Sequence, residues 1–178
     1  MLTIGELKFG EFSRDFSPAD IDALADTLFA CVEQGASVGF ILPFSKQQAQ
    51  VFWHKLLPAF ASGEKRLLVA RLHGKIVGTV QLVVGAPANG KHRAEVSKLL
   101  VHPEARRQGI AKQLMQRIET LALIEEKSLL VLDTDTHGSA VALYEGLGYQ
   151  LAGVIPDYAL SVGGELHATS VMYKKLTA

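Results

Sequence analysis

The chain lacks several features that would place it in a common functional class. It has one cysteine, Cys31, in 178 residues, which excludes an intrachain disulfide framework and a cysteine-based zinc cluster. No apolar run approaches the roughly 20 residues of a membrane span. The first residues, Met1-Leu2-Thr3-Ile4-Gly5-Glu6, lack the charged and then apolar pattern of a signal peptide. We therefore expect a soluble, cytoplasmic protein that does not act at a membrane.

Neither sign of charge is in excess. The chain has 18 basic and 18 acidic residues, so its formal net charge is zero. This balance argues against nonspecific binding to nucleic acid. The six histidines show no metal-ligand spacing, so we expect no metal site. The chain contains neither a Walker phosphate loop nor a G-x-G-x-x-G dinucleotide fingerprint.

The apolar pattern predicts one domain over residues 1–178, in the order β, α, α, three antiparallel strands, α, β, α, β, β. This order indicates an α/β (α+β) fold with a mixed, mostly antiparallel central sheet flanked by helices. Local signals refine the prediction: a first strand within residues 2–10, helix starts at Ser17 and Ser45, strands joined at His73-Gly74, a hairpin signal at Asn89-Gly90, and a buried strand ending at Asp133.

A basic turn that contains glycine separates an apolar strand from an amphipathic helix. The strand is Leu99-Leu100-Val101, and the turn and helix start are Arg106-Arg107-Gln108-Gly109-Ile110-Ala111. A helix N-terminus presents unpaired N–H groups and the positive end of its dipole, which attract anions. Gly109 lets the backbone approach an anion closely, and the arginines add charge. The arrangement predicts a phosphate site, although six residues alone would also fit a basic helix start on a solvated face.

These six residues resemble the Arg/Gln-x-x-Gly-x-Gly/Ala signature of the GNAT superfamily of N-acetyltransferases. A second segment, AVALYEGLGY from Ala140 to Tyr149, resembles the family's A-x-x-L-Y-x-x-x-G-F/Y segment. The likeness extends over about residues 17–176 and is closest to the tabtoxin-resistance branch. The segments that carry this closer likeness are Gly35-Ala36-Ser37-Val38-Gly39-Phe40, Asn89-Gly90, Arg93-Ala94-Glu95-Val96 and Leu132-Asp133-Thr134.

The resemblance implies the GNAT fold, with acetyl-CoA as co-substrate and no metal. In the family the basic turn holds the coenzyme's pyrophosphate, and the preceding strand pairs with its pantetheine arm. An Asn often contacts the coenzyme seven residues before the tyrosine, and here that position is His137. The coenzyme-binding residues implied are Leu99, Leu100, Val101, Arg106, Arg107, Gln108, Gly109, Ile110, Ala111, Lys112 and His137.

Three residues are implied in the chemistry. Tyr144 matches the tyrosine that lies near the coenzyme sulfur and can protonate the leaving thiolate. Glu95 is the favoured base for the acceptor amine and Asp133 the second candidate, because a carboxylate can take a proton from an ammonium group or bind it. Asp135 is a weaker, third candidate for the base, and we expect it to be a loop carboxylate. We expect Cys31 to be inert core.

The predicted function is transfer of the acetyl group of acetyl-CoA to a primary amine of a small molecule, by direct attack in a ternary complex. Amino acids, toxins and antibiotics are the expected acceptors, which would imply detoxification or antibiotic resistance. Phe40 and Tyr158 are candidate walls of the acceptor pocket. The alternatives are a protein or peptide N-acetyltransferase and a non-catalytic CoA-binding regulator. The family likeness also suggests a homodimer formed through the last strands.

Overall fold

The computed structural model describes residues 1–7 and 17–177, in which the chain forms seven strands and four helices. The strands are β1 (Leu2–Glu6), β2 (Lys65–Leu72), β3 (Lys75–Val83), β4 (Arg93–Val101), β5 (Leu129–Asp135), β6 (Gln150–Leu160) and β7 (Leu166–Lys175). The helices are α1 (Pro18–Glu33), α2 (Lys46–Ala61), α3 (Ile110–Ile124) and α4 (Ala140–Gly146).

The strands form one sheet in the order β1-β2-β3-β4-β5-β7-β6. The first four strands pair antiparallel, and so do β5, β7 and β6. The two antiparallel halves meet at β4 and β5, which are parallel. The predicted fold, a mixed and mostly antiparallel sheet flanked by helices, is confirmed.

Helices cover both faces of the sheet and divide the core into two clusters. On one face α1 and α2 pack over apolar side chains that include Leu67, Val69 and Leu100. On the other face α3 packs over Leu68 and Ala70, together with residues of β3, β4 and β5. Successive side chains of a strand point to opposite faces. Because helices cover both faces here, β2 carries a continuous buried run rather than an alternating one.

The N-termini of the first two helices begin where the sequence predicts. Ser17 is the N-cap of α1, with Pro18 as the first helical residue, and Ser45 is the N-cap of α2. At Ser45 the hydroxyl accepts a hydrogen bond from the Gln48 N–H, and the Gln48 side chain accepts one from the Ser45 N–H. This reciprocal pair satisfies two backbone donors that a helix start leaves unpaired.

Three local predictions need correction or limitation. The Asn89-Gly90 dipeptide lies, as the hairpin signal predicts, between the antiparallel strands β3 and β4. The connection is longer than a two-residue turn, because neither residue has the positive φ that such a turn requires and the dipeptide lies in a short 3₁₀ turn. Strand β5 continues past Asp133 to Asp135, so Asp135 is a strand residue and not a loop carboxylate. Of the first strand predicted within residues 2–10, Leu2–Glu6 is confirmed, and residues 8–10 lie outside the described part.

A buried carboxylate ties the start of α1 to the sheet. Asp20 accepts a hydrogen bond from the Ser17 N–H (2.8 Å) and forms an ion pair with Arg71 of β2 (2.7 Å). Burial raises the pKa of Asp20, but the hydrogen bonds from Ser17 and Arg71 outweigh it and hold the pKa below its ordinary value of 3.8. The contact therefore stabilises the fold above pH 3.8, and this stability is lost as the pH falls through the lowered folded-state pKa.

We expect Asp20→Asn to lower the free energy of unfolding at pH 7 by about 3 kcal/mol, because it leaves a partly buried guanidinium without its partner. Urea unfolding at pH 7 and pH 3 measures this, and the difference from wild type should shrink in acid. Glu33→Gln, an exposed acid on the same helix, is the matched control. An equal loss in the control, or a difference that does not change with pH, would contradict the assignment.

Candidate active site

The two central parallel strands pair over only part of their length. The ladder between β4 and β5 joins Arg93 to Leu129, Ala94 to Leu130 and Glu95 to Val131, and then ends. On its other side β4 stays paired with β3 as far as Val101. The edge of β4 that faces β5 therefore has no strand partner after Glu95, which leaves main-chain groups available to a ligand in the opening between the strands.

A β-bulge lies in β4 beside this opening. The register between β3 and β4 shifts between the pairs Gln81–Ser97 and Thr79–Leu100, so β4 has one extra residue there. Lys98 takes the left-handed conformation, with φ of 51°. The hydroxyl of the fully buried Thr79 donates to the Lys98 carbonyl (2.9 Å), which holds the bulge in place. Bulges of this kind re-aim side chains and occur often beside active sites.

The basic turn has the backbone conformation and the charge that favour an anion. Arg107 and Gly109 both have positive φ, 64° and 73°, and Gly109 is the N-cap of α3. Successive backbone N–H groups in a turn of this kind can form a concave nest for an anion. The same turn presents the N-terminus of α3 and its positive dipole end. The side chains of Arg106, Arg107, Gln108 and Lys112 are exposed around it.

The two arginines of the turn differ in what they contact. The Nε of Arg106 donates to the Val101 carbonyl (3.3 Å), so this side chain is drawn back over the end of β4. Arg107 forms no hydrogen bond or ion pair within residues 1–7 and 17–177, and its guanidinium points into solvent. Beneath the turn Cys31 is buried in the α1 core and donates to the same carbonyl (3.3 Å). Burial raises the pKa of this thiol, which agrees with an inert core cysteine.

Glu95 and Asp133 lie on the same face of the sheet, on opposite sides of the opening. In the row that pairs Val83, Glu95 and Val131, side chains point to the face covered by α1 and α2. Asp133, two residues after Val131, shares that face. Both carboxylates are exposed, and across the described part of the chain neither forms an ion pair within 4 Å. They are free to meet a cation that enters from this side.

Tyr144 of α4 lies on the β5 side of the opening and is 6% exposed. Burial, together with the negative charge of Asp133, raises the pKa of Tyr144 to about 12. The phenol is therefore protonated at neutral pH and can donate a hydrogen bond. Its ring packs against Tyr149, at 5.7 Å between centroids, which fixes its position in the core.

A carboxylate–imidazole pair near the end of β5 was not predicted from the sequence. Asp135 accepts a hydrogen bond from the His137 N–H (2.8 Å), and its other oxygen lies 2.8 Å from Nδ1 of His167 on β7. Burial raises the pKa of Asp135, but the contacts with His167 and His137 outweigh it and lower the pKa. His167 lies 32 residues from Asp135 in the chain, so no spacing rule indicates the pair. The His137 side chain is exposed.

The two predicted acceptor walls have different settings. Phe40 is half-buried in an aromatic cluster with Phe44 and Phe52, at centroid distances of 4.6 Å and 5.2 Å. Its loop joins the β6–β7 turn, because the Leu42 N–H donates to the Val162 carbonyl (2.9 Å). Tyr158 is 54% exposed, beside the register shift in β6, and makes no ring contact in the part of the chain that the structure describes.

Residues 1–7 and 17–177 contain no cluster of three or more His, Cys, Asp or Glu side chains that could hold a metal ion. Over the same residues, every helix is too short or too polar to cross a membrane.

Two curated proteins illustrate what the chain is similar to. N-acetyltransferase 8 of Homo sapiens is 39% identical over 87 residues, which are 48% of this chain and 38% of that protein. N-acetylaspartate synthetase of Danio rerio is 33% identical over 93 residues, 52% of this chain and 32% of that protein. The chain thus spans well under half the length of these relatives.

Solved structures match along nearly the whole chain. The ribosomal-protein-alanine N-acetyltransferase from Brucella melitensis superposes with a TM-score of 0.77 at 20% identity, covering 98% of this chain and 99% of that one. The yncA structure from Salmonella typhimurium, which contains its cofactor acetyl-CoA, has a TM-score of 0.77 at 17% identity, covering 100% and 95%. At these identities the likeness concerns the fold.

The fold and the opening beside the basic turn define the class of GNAT acetyltransferase domains. The acetyltransferase (GNAT) domain family matches residues 63–151, from the start of β2 to the start of β6, and the chain belongs to this family. The matched segment includes β4, the basic turn, β5 and α4, which together form the candidate site.

Proposed function

We propose that the chain is an N-acetyltransferase that moves the acetyl group of acetyl-CoA to a primary amine by direct attack in a ternary complex. The observation that carries this proposal is the opening between β4 and β5, with the anion-binding turn at one end and two carboxylates on the α1/α2 face. An anionic coenzyme and a cationic acceptor suit these two regions. Family membership supports the same assignment.

In this proposal the coenzyme follows β4 toward the turn. Its pyrophosphate binds the N–H groups at Arg107–Gly109 and at the N-terminus of α3, and the free guanidinium of Arg107 adds charge. The unpaired edge of β4 at Leu99–Val101 meets the pantetheine arm. The remaining contacts are assigned to Gln108, Ile110, Ala111, Lys112 and His137.

Glu95 is the proposed proton acceptor, with Asp133 as the second candidate and the Asp135–His167 pair as a third. Once deprotonated, the amine nitrogen bonds to the carbonyl carbon of the thioester and the carbon–sulfur bond breaks. A main-chain N–H of β4 would stabilise the oxyanion that forms between these steps, by about 3 kcal/mol. The first proton removed from the ammonium stays on the carboxylate until solvent takes it, and the nitrogen loses its second proton to solvent as the amide forms.

Tyr144 is assigned to the leaving thiolate as a hydrogen-bond donor. A phenol with a pKa of about 12 holds its proton more tightly than a thiol, whose pKa is about 8.5. Complete transfer of the proton is therefore unfavourable, whereas a hydrogen bond to the departing sulfur costs no proton. The thiolate then takes its proton from solvent.

The proposed acceptor is a small amine of the amino-acid, toxin or antibiotic type, with Phe40 and Tyr158 as pocket walls. The name of one relative, N-acetylaspartate synthetase, indicates an amino-acid product for that protein. Detoxification or antibiotic resistance and a cytoplasmic location stay predictions, as does the tabtoxin-resistance branch. A homodimer through β6 is the proposed assembly; this strand ends the sheet and exposes Leu151, Val154, Ile155 and Leu160.

The proposed function is tested by acetyl-CoA titration in a calorimeter, followed by thiol release with amino acids, polyamines, aminoglycosides, β-lactam amino acids and peptides. We expect binding, and release with one class of small amine. Release with peptides alone would favour a protein or peptide acceptor. Binding without release would favour a CoA-binding regulator, and no binding would contradict the proposal.

Replacing both arginines of the turn tests the pyrophosphate assignment. We expect Arg106→Ala with Arg107→Ala to raise the KM for acetyl-CoA about 10-fold or more and to change kcat much less, because charge-assisted hydrogen bonds to the coenzyme are lost. Arg117→Ala, an exposed arginine farther along α3, is the matched control. An unchanged KM in the double variant would contradict the assignment.

The proton acceptor is tested by the pH dependence of kcat/KM. We expect Glu95→Gln to lower turnover roughly 100-fold or more, since general bases contribute about that much, and most strongly at low pH, where free amine is scarce. Asp133→Asn and His167→Gln test the other candidates. Glu145→Gln removes an exposed neighbouring charge as a control. A profile that Glu95→Gln leaves unmoved would transfer the role to Asp133, to the imidazole or to water.

A further inference from the structure

The bulge in β4 puts a lysine on the acceptor side of the sheet. Strict alternation along β4 would point Lys98 to the face opposite Ser97, toward α3. Instead its Nζ lies 5.9 Å from the ring centroid of Phe52 on α2. Phe52 belongs to the aromatic cluster of Phe40, so Lys98 joins that cluster to the opening between the strands. The bulge therefore re-aims the ammonium group toward the proposed acceptor pocket.

The Lys98 ammonium is half-buried but has no ion pair within 4 Å anywhere in the described ranges, 1–7 and 17–177. Burial lowers its pKa, and the charge of Lys65 adds to that effect. The carboxylates of Asp133 and Glu95 act in the opposite direction without cancelling it. By contrast, the half-buried Lys174 pairs with Glu119 (2.7 Å). A desolvated cation without a close partner gains more than an exposed one from an incoming anion.

A second donor without an acceptor lies on the neighbouring strand. Gln81 of β3 is 1% exposed and is paired across the ladder with Ser97, the residue before Lys98. Its Nε2 has no hydrogen-bond acceptor within the described residues. Because Gln81 lies in the same row as Leu67 of the α1/α2 core, its side chain is on the same face as Glu95. Buried amide donors are rarely left unpaired, so this one also suits an incoming acceptor atom.

We propose that Lys98 binds a carboxylate of the acceptor, so that the substrate is an amine that also carries an acid group, as an amino acid does. The ammonium end then faces Glu95 and Asp133, and the acid end faces Lys98 with the Gln81 amide behind it. Opposite charges at the two ends orient the zwitterion and reject amines that lack the acid. This inference rests on the proposed acetyltransferase function and narrows its substrate class.

Matched acceptors separate this role from a general electrostatic one. Amino acids and their α-amides differ in the carboxylate but share the amine and side chain. We expect the wild-type chain to prefer acids over amides about 10-fold or more in kcat/KM, as a charge-assisted hydrogen bond allows. Lys98→Met should raise KM for acids by about that factor, with kcat nearly unchanged, and should remove the preference. Lys55→Met, an exposed lysine on α2, should change neither.

If Lys98→Met acts only by changing the charge around Glu95, it will affect acids and amides alike and shift the pH profile. That result would overturn the inference. Equal use of acids and amides by the wild-type chain would overturn it while leaving the acetyltransferase intact. If no amine is acetylated, the proposed function fails.

The carboxylate subsite at Lys98 is then tested independently of activity. Amino acids and their α-amides are titrated in a calorimeter into the chain with CoA bound, for the wild type, Lys98→Met and, as a second variant, Lys98→Gln. If the wild type binds the acids and both variants lose that binding, the subsite is supported. If the wild type does not bind the acids, or the variants still bind them, the inference is overturned.

Discussion

The early end of pairing between β4 and β5 is the constraint on which the rest of the site depends. A parallel ladder that continued along both strands would consume the main-chain donors and acceptors of Leu99–Val101 and close the space between them. Because pairing stops at Glu95 and Val131, the sheet contains an opening with backbone groups on one side. Each half of the sheet is antiparallel and independently paired, so the opening does not cost the sheet its continuity.

The bulge and the turn use this opening from its two sides. The bulge is stabilised by the buried hydroxyl of Thr79, which makes a left-handed lysine tolerable and moves its side chain to the α1/α2 face. At the end of the same strand, positive φ at Arg107 and Gly109 collects backbone N–H groups at the start of α3. In the proposed function, one strand thus places a cation on the acceptor side and an anion-binding turn on the coenzyme side. Lys98 and the basic turn stay apart because Lys98 lies within β4 and the turn follows its end.

Burial sorts the titratable groups of the site. Glu95 and Asp133 are exposed beside the opening, on the α1/α2 face of the sheet, where a ligand can reach them. Tyr144 lies in the core beside Asp133, and both burial and that negative charge favour its neutral form. A protonated phenol and two exposed acidic side chains therefore lie around one opening. The physical difference between them is solvation, which depends on where α4 packs.

The sequence by itself determined the element order, the helix starts at Ser17 and Ser45, and the basic, glycine-containing turn before α3, because periodicity, caps and turn residues depend on near neighbours in the chain. It also indicated Glu95, Asp133 and Tyr144 as chemistry-bearing residues through short motifs. Only the tertiary structure decided that Lys98 reaches Phe52 of α2, that Gln81 lies buried opposite Ser97, and that Asp135 meets His167. These depend on a one-residue register shift and on pairing between distant strands, which sequence spacing does not encode. The Asn89-Gly90 signal correctly indicated an antiparallel connection between β3 and β4, but its length and its 3₁₀ turn follow from where the sheet places its strands.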